Sequence, residues 1–140
     1  MAAKVSTFIY CLGTDRPNVP NAPINANGIL NILVPEFIPS TFTFSIVVGI
    51  VGMEDKIPYL LDIVFYDCHD KPLVEAKGIK VSLPDTDANI LGLPDGAKGL
   101  MLSMDFKNVI IRDEGMYSTS VSLNGQKLGD YDIYVKGKNR

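Results

Sequence analysis

The chain has little from which a reactive site could be built: one histidine, two cysteines and no tryptophan among 140 residues. A single imidazole leaves His69 as the one candidate base of that kind, and no Gly-Xaa-Ser-Xaa-Gly elbow is present to carry a nucleophilic serine. Two cysteines, Cys11 and Cys68, are too few for a disulfide framework, and each lies in an apolar run where a free thiol behaves as a small hydrophobe, a bridge between two core strands being the alternative in an oxidising compartment. Positive charge is also short: 13 Lys and Arg against 16 Asp and Glu give a net charge of −3, and a nucleic-acid binder would carry a basic face. The longest uncharged apolar run, "FTFSIVVGIVGM", has 12 residues, short of the ~20 that a membrane-spanning helix needs. No phosphate-cradling glycine loop is present either. These absences point away from catalysis, cofactors, nucleic acid and membranes. The amino-terminal "MAAKVSTFIYCLG" reads as a first strand of a cytoplasmic protein, because "TDRPN" follows where a cleavage motif would stand.

What is present is a period of two. Apolar residues make up 46% and charged residues 21%, values suited to a folded domain of this length. In "FTFSIVVGI", Phe42, Phe44, Ile46, Val48 and Ile50 share one face opposite Thr43 and Ser45. Leu61, Ile63 and Phe65 oppose Asp62, and Leu100, Leu102, Met104 and Phe106 oppose Ser103, Asp105 and Lys107. A shift of one residue would bury a charge, so each register is specified. Eight strands are expected, at about 5–12, 28–34, 41–51, 58–67, 73–83, 99–108, 116–123 and 127–135. Half-apolar strands at this spacing pack as two sheets face to face. Asn27-Gly28 and Asn124-Gly125 suit turns that need positive φ. The chain is one domain over 1–140, with a proline- and asparagine-rich loop at 13–28 and a second long loop at 84–98 that has room for one helical turn.

The segment "DEGMYSTSVSLNGQ" resembles the end of immunoglobulin-like sandwiches. There an acidic residue, a glycine and a tyrosine at alternate positions (here Asp113, Gly115 and Tyr117) introduce the penultimate strand, and the tyrosine hydroxyl closes the corner on nearby backbone. The lack of tryptophan and of a suitable cysteine pair separates the chain from antibody-type domains. "NGILNIL", "PEFIPSTFTFSIVVGI", "LLDIVFYDCHDKPL" and "DEGMYSTSVSLNGQKLGDYDIYV" together resemble a family of small bacterial and phage domains of unknown function. The likeness spans Asn27 to Val135 and implies an immunoglobulin-like two-sheet β-sandwich of about seven or eight strands. "HDK" stands where that family has a turn glycine, and the family brings no reaction with it.

Few clusters carry chemistry. "DCHD", Asp67 to Asp70, holds metal-ligand residue types, but neighbours along a strand end point apart, so turn chemistry is the expected role and no metal is expected. "DTDAN", Asp85 to Asn89, copies the start of a calcium loop, yet Ile90 and Gly96 stand where glycine and glutamate are required. No ion is therefore expected at Asp85 and Asp87, and no cofactor is implied. Asp130 and Asp132 lie on a polar strand face, where solvation accounts for them.

The expected role is binding to another protein or to a second copy of the chain, without catalysis. Three versions follow: a phage- or mobile-element-encoded inhibitor of a host protein, a self-assembling module of a particle or larger complex, and, least favoured, a small-ligand or metal-dependent enzyme. The candidate contact is the outer face of the last hairpin. Tyr117, Thr119, Val121 and Leu123 point inward, which leaves Met116, Ser118, Ser120 and Ser122, with Tyr134, looking out. No charge occurs from Met116 to Leu123, whereas a solvent-facing strand usually carries lysine or glutamate.

Overall fold

The computed structural model describes residues 3–16, 23–54, 57–83 and 92–138. Among the described residues, nine strands run in chain order: β1 Lys4–Asp15, β2 Asn25–Leu30, β3 Ile32–Leu33, β4 Ser40–Val51, β5 Tyr59–Tyr66, β6 Pro72–Val81, β7 Gly99–Ile111, β8 Gly115–Leu123 and β9 Gln126–Val135. They form a four-stranded sheet, β2-β1-β4-β7, and a five-stranded sheet, β3-β9-β8-β5-β6. All pairings are antiparallel except the short β3, which runs parallel to β9. This is an immunoglobulin-like two-sheet β-sandwich, with nine strands among the described residues where eight were expected. The expected strand at 28–34 divides, because its first part pairs with β1 in one sheet and Ile32–Leu33 joins β9 in the other.

The alternating residues build the core. Phe44, Ile46, Val48 and Ile50 of β4 are buried, as are Leu61, Ile63 and Phe65 of β5 and Phe106 of β7. The rings interlock: Phe44 meets both Phe65 and Phe106 edge-on at 5.2 Å. Edge-to-face packing of this kind adds to the area buried. Across the core, the Tyr10 hydroxyl of β1 donates to the Tyr131 carbonyl of β9 at 2.6 Å and lies 2.6 Å from Thr119 Oγ1 of β8. One buried phenol thereby ties the two sheets together.

The loop at 13–28 is shorter than expected. β1 continues through Asp15 and β2 begins at Asn25, because the side-chain amides of Asn25 and Asn27 donate to the two carboxylate oxygens of Asp15 at 3.0 and 3.1 Å. Asn27-Gly28 is accordingly not a turn. Gly28 lies within β2 at φ +68, where a Cβ would come within 2.8 Å of Leu12 Cδ1. Asn124-Gly125 does turn the last hairpin, with φ of 52 and 78. In the second loop a short 3₁₀ turn spans Asp95–Ala97, while Asp85, Asp87 and Asn89 lie outside the described residues. Among the described residues no helix is long and apolar enough to cross a membrane.

Candidate functional site

The sequence candidates gather at two neighbouring places on the five-stranded sheet: its outer face and the corner that leads into β8. At the corner, Tyr117 is buried and its hydroxyl donates to the Asp113 carbonyl at 2.7 Å. Burial pushes this phenol up to about 12. Gly115 adopts φ +150, and a Cβ there would come 2.7 Å from Cys68 Cβ. The glycine is what lets the turn after β5 pack against the start of β8.

That turn is Asp67 to Lys71. Asp67 Oδ1 accepts from the backbone N–H groups of His69 and Lys71 at 2.8 and 2.9 Å, and Asp70 takes φ +60. A side-chain oxygen substituting for a backbone acceptor fixes such turns. The expectation that Cys68 and His69 point apart fails here, since the chain is turning rather than extended. Their donor atoms and an Asp113 carboxylate oxygen all lie within 4.8 Å of one another. His69 Nε2 is 3.2 Å from Asp113 Oδ2, and the Cys68 thiol donates to the Glu114 carbonyl at 3.6 Å. Burial pushes the Cys68 thiol up, and the Asp113 and Asp67 carboxylates add to the shift, so the thiol rests protonated and is a poor nucleophile. Cys11 is free too, buried on β1.

On the outer face, register sets out rows across the strands. Tyr66, Ser118 and Asp132 form one; Glu75, Val64, Ser120 and Asp130 form the next. The serines are less open than the alternation implied. Ser120 is 8% exposed, and Ser118 and Ser122 are half-buried. β8 is an inner strand with β5 and β9 on its flanks, so these small side chains lie at the floor beneath taller neighbours. β8 itself carries no charge on this face, and β9 supplies Asp130 and Asp132 beside the serines. Tyr66, Asp70, Ser118, Lys127, Asp130 and Asp132 line an open depression of about 470 Å³. Lys127 Nζ reaches Asp130 Oδ2 at 3.1 Å, which leaves the depression with more carboxylate than ammonium.

Beside it runs an apolar row. Met116 of β8, Tyr134 of β9 and Ile32 of β3 stand in register on the same face, with Met116 53% and Tyr134 43% exposed. Ile32 escaped the sequence reading because nothing in "NGILNIL" announces that its end crosses to the other sheet. Tyr10 escaped it as well. The available signal was Thr119, a hydroxyl at an inward position that required a buried partner.

No family model matches the chain, and no curated protein has a matching sequence. Among solved structures, the C-terminal domain of Wzt is similar at 12% identity and a TM-score of 0.49, over 96% of this chain and 73% of that one. A beta-glucosidase from Listeria innocua, in complex with glucose, is similar at 13% identity and a TM-score of 0.44, over 88% of this chain and 18% of that one.

Proposed function

We propose that the protein acts by binding another protein through the outer face of its five-stranded sheet, without catalysis. The observation that carries this reading is the row of exposed Met116 and Tyr134 with half-buried Ile32, an apolar strip beside an acid-lined depression. Methionine and tyrosine offer large contact area, and both types are enriched where proteins meet. The depression fits a basic side chain: an arginine entering it would meet Asp130 and Asp132 while its flanking residues lie on Met116 and Tyr134. The partner's matching surface is therefore an apolar segment that carries arginine or lysine. An inhibitor of a host protein is the form of this role that suits a compact acidic domain, whose carboxylates steer a basic partner toward the face.

The test is affinity capture from the native host with mass spectrometry, run side by side on the natural chain and the double variant Met116→Glu, Tyr134→Glu. A protein retained by the first and lost by the second supports the reading. The same proteins captured by both would refute it. Light scattering on the purified chain addresses self-association: a dimer that the double variant abolishes would make the partner a second copy.

A further inference from the structure

The β5–β6 turn and the β7–β8 corner bring together two adjacent side chains and a third from 44 residues further on, none with a role in the proposed contact. Cys68, His69 and Asp113 offer a sulfur, an imidazole nitrogen and a carboxylate oxygen, all within 4.8 Å of one another. We propose that these three residues form a binding site for a divalent transition-metal ion of the zinc type. Thiolate, imidazole and carboxylate are the ligand types that zinc takes together. Calcium and magnesium, which want oxygen ligands, do not fit this set.

The geometry needs little adjustment. Tetrahedral zinc, with bonds of about 2.0–2.3 Å, sets its ligand atoms roughly 3.3–3.8 Å apart. His69 Nε2 and Asp113 Oδ2 already stand at 3.2 Å, so closing the remaining gaps takes side-chain movement of about 1 Å. The His69 and Asp113 side chains are 68% and 58% exposed and free to make it. The backbone behind them is fixed. Asp67 Oδ1 holds the turn through the N–H groups of His69 and Lys71, and the absence of a Cβ at Gly115 seats Cys68 against β8. Tyr117 bonds the Asp113 carbonyl, not its carboxylate, so an ion and the corner bond do not compete. Three protein ligands leave a fourth position to water or to a donor from outside the chain. The ion would link two loops otherwise joined by weak contacts such as the 3.6 Å thiol bond to the Glu114 carbonyl.

Cobalt(II) titration of the reduced, chelator-treated full chain tests the site, because tetrahedral thiolate ligation gives the ion a charge-transfer band in the near ultraviolet and strong visible bands. The expected result is one equivalent bound, with that band present and displaced by zinc. Cys68→Ser should remove the band, and His69→Gln or Asp113→Asn should weaken binding by at least about tenfold, no less than the loss of an outer partner commonly costs. Cys11→Ser should leave both unchanged, and circular dichroism of each variant confirms that it is folded. A titration without a charge-transfer band, or a band that survives in folded Cys68→Ser, would overturn the site and leave His69 and Asp113 as a simple hydrogen-bonded pair.

Discussion

Tyr10→Phe removes one oxygen from the middle of the sandwich and nothing else. The ring still packs 5.0 Å from Phe8 and 6.0 Å from Phe44. Two groups lose their partner: the Tyr131 carbonyl, and Thr119 Oγ1, whose side chain is fully buried. Because the single phenol proton goes to Tyr131, the threonine hydroxyl is the donor in the second bond and has no water to turn to. Orphaning a buried polar group costs about 1–3 kcal/mol. With a urea m-value of about 2 kcal/mol/M, the unfolding midpoint should fall by roughly 0.5–1.5 M at constant slope. Adding Thr119→Val removes the orphan with little change of shape, so the double variant should recover much of that loss, since replacing both partners is far cheaper than replacing one. A Tyr10→Phe cost below about 0.5 kcal/mol, or a double variant as unstable as the sum of the singles, would refute the inter-sheet bond.

The corner gives a milder case. Tyr117→Phe should cost about 0.5–1.5 kcal/mol, because this bond is only part-buried and its loss orphans one carbonyl and no buried donor; a loss as large as that of Tyr10→Phe in the same urea series would contradict this ranking. Gly115→Ala should cost about 1–3 kcal/mol, from the positive φ and the 2.7 Å approach to Cys68, and a neutral result would mean that Cys68 is not packed there. Alkaline stability follows from the phenols. Tyr117 is raised to about 12 and Tyr10 also upward, both by burial, so the folded state keeps protons that the unfolded state releases above the ordinary value near 10. Stability is intact below that pH and falls as pH climbs from about 10 through 12, with phenolate absorbance lagging for the buried rings; all six tyrosines ionising together near 10 would contradict it.

The sandwich was legible wherever one face had to be dry. β5 and the last hairpin kept their expected register because a one-residue slip would have buried Asp62 or Asp132. Asn27-Gly28 misled because the same pair serves a turn or a strand: its asparagine was claimed by Asp15, a partner 12 residues away. The serine face misled for a different reason. Alternation tells which way a side chain points but not how tall its neighbours are, and Ser120 lies low between Val64 and Asp130. The Cys68, His69 and Asp113 cluster was hidden because adjacency along a strand was assumed where the chain turns. Pairing of β5 with β8, Tyr66 opposite Ser118, is what carries residues 67–69 to residue 113, and periodicity says nothing about which strands become neighbours.

The binding claim is met most directly by a photocrosslinking amino acid placed singly at Met116, at Tyr134 and, on the opposite sheet, at the exposed Ile29, followed by irradiation in the native host. The expected result is a discrete adduct from positions 116 and 134, to one protein and at an apolar segment of it that bears arginine or lysine, with none from position 29. An adduct from position 29 alone, or no adduct from either 116 or 134, would contradict a contact through this face.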